Sequence, residues 1–507
     1  MGGTDHRIDL WNLATETLVH PLNGPQGRIG PVAFSPDGRV LATGSDDESI
    51  HIWRTGNWRE IGRLPRRDSH VGLLYVDALK FSPDGKLLAV GGPWHRITVW
   101  DWAARKEVRS YLDQSLGGTM PSLAFSPDGK MLAAPFHGTT VWNMTTGKEL
   151  SRFDARGNGM DGAGAVAFSP NGRHLALGGT VVILLFEPAT GKIVLRFNLP
   201  PNAQNRPGEI SNMVTSMAFS RDGKSLLSGG YDAKLRLWEV DTGKERRLFQ
   251  GHELSVLSVA LSPDEKYAAS ASGSVWEHRD NSVRVWNVAT GKELRKFTAH
   301  QSVVVSVAFS PDGKVLASGS EDGTTLIWDM SALGSARQTP VKILSASELE
   351  SLWKELASDD AAKAYEAIQA LTAAPAQAEA FLRTRLKPVA AQNPKQVRQW
   401  IADLDSDHFA VRTKAAQDLE NLGEQVESVL RIALAGKSSP ESRRQIESLL
   451  KRLDQSPSGN RLRELRAVEI LEHLGTIESQ RLLRTLAGGA VAARLSQEAK
   501  ASLNRLN

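Results

Sequence analysis

A hexapeptide close to A-F-S-P-D-G returns along the first two-thirds of the chain, with its phenylalanine at Phe34, Phe81, Phe125, Phe168, Phe219 and Phe309 and a variant, L-S-P-D-E, at Leu261. Successive copies lie 47, 44, 43, 51, 42 and 48 residues apart. A period of this size means one supersecondary unit in tandem, each copy burying its faces against its neighbours. After each copy come a short apolar run (RVLATGS, KLLAVGG, KVLASGS), a turn, and a run ending in Trp53, Trp100, Trp142, Phe186, Trp238, Trp286 or Trp328. T-G-K turns come next at Thr146-Gly147-Lys148, Thr190-Gly191-Lys192, Thr242-Gly243-Lys244 and Thr290-Gly291-Lys292. Pro-Asp-Gly suits a tight reversal, because Pro fixes φ, Asp bonds its own backbone and Gly accepts positive φ. SVRVW and KLRLW alternate with the period of a strand. Each unit therefore predicts several short strands, and stacking the units around a ring protects their edges.

These residues resemble the WD-repeat β-propeller family over residues 1 to about 330. The resemblance implies a buried tetrad in each complete unit: a His before the first strand, a Ser or Thr on the second, an Asp in the next turn, and the Trp. The last unit carries His300, Ser318, Asp322 and Trp328; the sixth carries His252, Ser270, Asp280 and Trp286, with an enlarged turn holding Trp276. The fifth keeps Ser228, Asp232 and Trp238, and the first keeps Thr43, Asp47 and Trp53. Such His and Asp residues invite an acid–base reading, but their spacing fits a satisfied hydrogen-bond network, which buried polar groups require.

Counting from residue 16 gives seven units, and TLVHPL then becomes the outer strand beside 324–329, the ring-closing clasp usual in the family. Residues 5–11, DHRIDLW, are one strand too many. Asp5 and Trp11 stand six apart, as Asp322 and Trp328 do, so they read as the end of a preceding repeat, a trimmed end of a longer array. Seven blades is the expectation and eight the alternative; a hairpin of residues 5–22 belongs to the eight-bladed ring.

Of 44 glycines, 37 precede residue 331, after which Ala, Leu, Glu, Gln and Arg dominate. Strand chemistry gives way to helix chemistry. The expected division is a propeller over 1–330, a linker over 331–346 and a helical domain over 347–507. SELESLWKELA opens with capping-box spacing, Ser347 to Glu350. DDAAKAYEAIQAL, PAQAEAFLRTRL, DHFAVRTKAAQDLENLG, EQVESVLRIAL, PESRRQIESLLKRL and RLRELRAVEILEHLG share its helical periodicity. Pro375 and Pro440 fit first-turn positions, and Gly423 and Gly475 fit stops. Asp407, Val411, Arg412 and Ala415 carry a resemblance to a HEAT-type helical repeat, so the fold class is a β-propeller followed by a HEAT-like array. The combination resembles bacterial propeller–helical-repeat proteins in which such modules lie downstream of sigma-factor or kinase domains; this sequence contains no such domain.

Function is narrowed mainly by exclusion. Lys plus Arg number 61 against 57 Asp plus Glu, and the charge is evenly spread, which argues against bulk nucleic-acid binding. With no cysteine there are no thiolate nucleophiles or cysteine zinc sites, and a reducing, cytoplasmic compartment fits. No apolar run reaches the roughly 18 residues of a membrane span. Gly157, Gly159 and Gly162 match G-x-G-x-x-G but precede a strand, and His278-Arg279-Asp280 echoes a kinase catalytic loop without its companions. No catalytic residue, cofactor-binding residue or metal ligand is assigned.

The leading expectation is a non-catalytic scaffold whose propeller faces take a protein or peptide, with the helices extending the surface. The alternative is a nucleic-acid- or ribosome-associated accessory protein using the basic helices of 443–466, where Arg443, Arg444, Lys451, Arg452, Arg461, Arg463 and Arg466 cluster among acids that suit a solvated face. One departure from the repeat nominates a face. Where Asp322 aligns, the second and third units carry Trp94 and Phe136, each with a histidine after it, His95 and His137. With His70 in the loop entering the second unit, they form a candidate partner-binding face, since aromatics at a loop surface anchor partners. The competing reading is that the rings fill space left by a missing Asp network.

Overall fold

The computed structural model describes the chain except residues 1–6, 13–16, 24–26, 47–48, 66–75, 93–95, 113–121, 136–137, 155–162, 201–211, 275–276, 278, 332, 334–342, 391–392, 423–425, 436–438, 454–458, 492 and 507. The chain divides into two compact units, Met1–Gln338 and Thr339–Asn507.

Seven sheets make up the first unit. In each, the S-P-D-G turn, or its variant S-P-N-G, S-R-D-G or S-P-D-E in the fourth to sixth units, reverses the chain between the first two strands. Ser35 Oγ donates to Asp37 Oδ1 at 2.6 Å, Asp37 accepts the Arg39 N–H at 3.1 Å, and Gly38 takes φ 69°. The third and fourth strands form a hairpin whose register slips by one residue immediately before the aromatic, as at Ile52/Trp53, Val141/Trp142 and Val285/Trp286. The innermost strands, Ile29–Phe34, Ala78–Phe81, Ala124–Phe125, Ala165–Phe168, Val214–Phe219, Val256–Leu261 and Val304–Phe309, touch in sequence order. The last touches the first, so the sheets are blades of a closed seven-bladed propeller. Apolar faces fill the space between blades; burying each large apolar side chain there contributes about 1.5–3 kcal/mol.

The closure differs from the expected clasp. Strand β1 (Arg7–Asn12) lies parallel to Thr325–Asp329, with Ile8 opposite Thr325 and Trp11 opposite Trp328. Strand β2 (Thr17–Asn23), which contains TLVHPL, pairs antiparallel with β1 and is therefore one place further out than expected. The hairpin of the eight-bladed alternative thus exists, but within a seven-bladed ring. The reason lies in its register, which slips at Leu10/Trp11 just as every third–fourth strand hairpin slips before its aromatic. The pair keeps its own antiparallel bonds, so only the free edge of β1 remains for the last blade, and that edge aligns in parallel.

The expected linker begins inside the propeller. Met330 and Leu333 are buried in the cluster of the last two blades, and Tyr267 Oη donates to the Leu333 carbonyl at 3.0 Å.

The second unit has ten helices among its described residues: α1 (Ala346–Glu355), α2 (Ala361–Thr372), α3 (Pro375–Arg385), α4 (Pro394–Asp403), α5 (Phe409–Leu422), α6 (Glu427–Ala435), α7 (Pro440–Leu453), α8 (Asn460–Leu474), α9 (Ile477–Ala487) and α10 (Arg494–Leu506). The α1 capping box is Ser345 with Glu348, not Ser347 with Glu350. Two S-x-x-E registers overlap here, and the earlier one caps a longer helix; Glu350 instead pairs with Arg385. Pro375 and Pro440 do start helices, and Gly475 ends α8 at φ 62°; Gly423 lies outside the described residues. The packing is not a simple succession of helical pairs. Helix α8 packs on α2, α9 and α10, while α4–α7 share a separate cluster around Leu404, Leu419, Leu430 and Ile446. Of the HEAT-type positions, Ala415 is buried there, Arg412 donates to the Ser406 carbonyl at 2.7 Å, and Asp407 and Val411 are exposed.

Candidate functional site

The sixth and seventh blades bring their four predicted residues together. In the seventh, Trp328 Nε1 donates to Ser318 Oγ at 2.9 Å, Ser318 Oγ lies 2.8 Å from His300 Nε2, and His300 Nδ1 lies 3.0 Å from Asp322 Oδ2. The sixth repeats this with Trp286–Ser270 at 2.9 Å, Ser270–His252 at 2.7 Å and His252–Asp280 at 2.8 Å. Donor chemistry fixes the direction. Indole N–H can only donate, so serine accepts it and gives its own proton to Nε2; Nδ1–H then donates to the carboxylate. The relay is complete with a neutral imidazole. Burial lowers the His252 pKa, which agrees with that state. Burial alone raises a carboxyl, but the bonds from His252, Ser282 and the Glu253 N–H reverse this and hold Asp280 well below the usual carboxylate range. Asp322, held by His300, Thr324 and the Gln301 N–H against the same burial, is lowered to about 2.

The incomplete units are satisfied differently. Trp238 donates to Ser228 at 2.8 Å and Trp53 to Thr43 at 3.0 Å. With no histidine in the fifth unit, Asp232 is met by Arg236 at 2.6 Å, and Arg236 also reaches Glu245 at 3.2 Å. The same position two residues before the aromatic carries Arg284, bound to Asp280 at 3.1 Å and Glu293 at 2.7 Å, and His51, bound to Glu60 at 3.2 Å. Sequence reasoning missed this lattice. Its signal was a basic residue in x-[RH]-x-W paired with the Glu that faces the Trp across the hairpin. Blades two to four drop the second-strand hydroxyl, carrying Val90, Ala134 and Leu177 in its place; Trp100 turns to Thr98 at 3.2 Å, and Phe186 stacks on Phe153.

The other predicted residues fare unevenly. His70, Trp94, His95, Phe136 and His137, like Asp47, Trp276, His278 and the Gly157–Gly159 loop, lie outside the described residues. The basic cluster comes apart. Arg443 and Arg444 are exposed on α7, and Arg461 is exposed on α8, but Arg463 lies over the Trp353 ring at 5.1 Å. Arg466 is 1% exposed and donates to the Leu356 and Ser358 carbonyls at 2.7 Å each. It satisfies the carbonyl end of α1 and is neither a solvated charge nor a phosphate contact, which corrects the expectation for that residue.

Known proteins share this repeat geometry. The model for the WD domain, G-beta repeat, matches residues 17–54, 66–101, 205–239, 243–287 and 291–329. Most of the third and fourth units, where the hydroxyl is lost, lie outside the match. Human transducin beta-like protein 2 is 27% identical over 290 residues, 52% of this chain and 62% of that protein. The guanine nucleotide-binding protein subunit beta of Arabidopsis thaliana is 27% identical over 262 residues, 49% of this chain and 67% of that protein. The chain thus spans about three-fifths to two-thirds of the length of these relatives. A chain in a crystal structure of the mitotic checkpoint complex superposes with a TM-score of 0.50 at 18% identity, covering 59% of this chain and 90% of its own, a likeness of fold. The repeats and relatives support a WD-repeat family for the propeller. No helix among the described residues is long and apolar enough to cross a membrane.

Proposed function

We propose that this protein is a non-catalytic interaction scaffold, its propeller faces binding a protein or peptide and its helices extending that surface. One observation carries this reading: the His–Ser–Asp sets that would otherwise be acid–base machinery are spent inside the blades, each polar group bonded to a blade neighbour. A ring of this kind is left with its loops to offer. The face nominated by His70, Trp94, His95, Phe136 and His137 is the proposed docking surface, on adjacent blades whose second strand carries Val90 and Ala134 in place of the hydroxyl. A cysteine-free chain supports a reducing, cytoplasmic setting.

The test is the double change Trp94→Ser with Phe136→Ser. Aromatic anchors removed from a loop surface weaken capture of a partner from lysate and leave the melting temperature nearly unchanged. A fall in melting temperature with capture intact makes the rings core and moves the binding face elsewhere.

A further inference from the structure

The innermost strands carry a second departure from the repeat. The residue before the Phe (Leu261 in the sixth unit) is Ala33, Ala124, Ala167, Ala218, Ala260 and Ala308 in six blades, and Lys80 in the second. All seven line one central channel of about 1570 Å³. Six blades fold with alanine here, so the fold does not require an amine at this level. Among the described residues the Lys80 ammonium has no hydrogen-bond or ion-pair partner, and the nearest turn carboxylate in sequence, Asp84, is engaged by Ser82 Oγ at 2.6 Å and the Lys86 N–H at 3.1 Å. Lys80 is open to the channel yet ringed by protein, and that burial lowers its pKa below the ordinary lysine value.

The channel is also polar along its axis. Lys80 and Arg221 belong to the end that carries the S-P-D-G turns. Asp46 and Asp77 line the opposite end, beside Arg28 and Glu321, which pair at 3.5 Å. Its walls are otherwise alanines, other apolar residues, Thr215, Tyr231 and serines, some of which bond the next blade, as Ser306 does with the Val32 N–H at 3.1 Å, and some their own turn, as Ser310 does with Asp312 at 2.6 Å. Glu265 accepts the Arg221 N–H at that end, so what the described residues leave unmet there is the Lys80 ammonium, and an anion is the partner it lacks. Inner strands of up to six residues make a passage of about 20 Å, a length that suits an extended segment.

We propose that the central channel is a binding site for a carboxylate of an extended peptide, seated on the Lys80 ammonium. This deepens the scaffold reading and rests on it for the ligand being a protein segment. A side-chain carboxylate and a chain-terminal one share this chemistry, and the probes separate them.

Fluorescently labelled hexaglutamate with an amidated C-terminus, hexaglutamine amide, and hexaglutamine with a free C-terminal carboxylate are titrated by anisotropy against the full chain, Lys80→Ala and Lys80→Arg. The alanine variant installs what six blades already have, so its melting temperature does not fall. Hexaglutamate amide is expected to bind, to lose about tenfold in affinity with Lys80→Ala, and to be held by Lys80→Arg. Binding of the free-carboxylate hexaglutamine instead, with the same Lys80 dependence, identifies a terminal carboxylate as the ligand. Equal binding to the chain and to Lys80→Ala, or no binding of either acidic probe, overturns the proposal. Loss of the channel site with partner capture intact leaves the scaffold reading standing. Lys80-dependent binding without capture leaves a carboxylate site and removes the docking face.

Discussion

Asp322 is a buried carboxylate kept charged by its neighbours, and its charge ties the stability of the last blade to pH. Its ordinary value in an unfolded chain is near 3.9, and in the folded blade His300, Thr324 and the Gln301 N–H bring it to about 2 despite burial. A lowered folded-state pKa means that the unfolded chain binds the proton more tightly. The stabilisation is therefore complete above about pH 4 and is lost as the pH falls toward about 2. Its size is on the order of 2 kcal/mol. His252, also lowered, contributes in the same direction, beginning where an unfolded histidine takes up its proton, near pH 6.5. The check is the denaturant midpoint of the parent chain and of Asp322→Asn from pH 7 to pH 2. The gap between them should be widest above pH 4 and close as the pH approaches 2. A gap that does not change with pH would show that Asp322 is not the group titrating.

At the scale of the element, the S-P-D-G turns do more than reverse the chain, because each turn glycine packs against the turn proline of the preceding unit. A β-carbon on Gly38 would lie 3.3 Å from Pro311 Cδ, and one on Gly223 3.3 Å from Pro170 Cδ. The two units that break the rule are neighbours, and their departures meet. Arg221 stands where proline should, which frees a backbone N–H; Glu265 stands where glycine should, at φ 60°, and its carboxylate accepts that N–H. Glu265→Gly should relieve left-handed strain of about 1–2 kcal/mol while removing this acceptor. Arg221→Pro removes the donor. Urea melts of the two single changes and the double should be non-additive by roughly 0.5–3 kcal/mol, with the double the most stable of the set; strict additivity would mean that the contact carries no energy. The same turns explain why the propeller was legible in the sequence: one short string, repeated, sets strand, turn and aromatic at fixed offsets. The helices had no such repetition. Helices α4, α9 and α10 escaped notice although they are as long as several helices that were read and place their apolar residues on one face. Ser345 and Ser347 offered two caps in one string, and only the length of helix each begins could choose between them. The tetrads were readable because the family pattern fixes their spacing. The Arg236 and Arg284 lattice was not, because its acidic partners sit on the next strand and are matched only by register.

In the whole molecule, a closed ring of blades makes its weakest seam the place where the chain's first strands meet its last blade. Each innermost strand touches two neighbours, so a blade that loses its outer strands still has its inner face covered, but the last blade's own third strand, Thr325–Asp329, depends on β1 for its outer partner. Strand β1 is paired on both sides, with Thr325–Asp329 on one and β2 on the other. Whichever way the Leu10 N–H points, Leu10→Pro therefore deletes a ladder bond and leaves its acceptor unpaired, at a cost of about 1–3 kcal/mol. The expected outcome is local before it is global. Amide hydrogen exchange should accelerate first along Thr325–Asp329 and then along Val315–Ser320, while the strands of the third and fourth blades, Met131–Pro135 and Val182–Phe186, keep the protection of the parent chain. The melting temperature should fall as well, because an opened ring exposes the apolar faces on both sides of the seam. Unchanged exchange along Thr325–Asp329 would mean that β1 does not hold the seam, and that the last blade is secured by the packing of its inner strands alone.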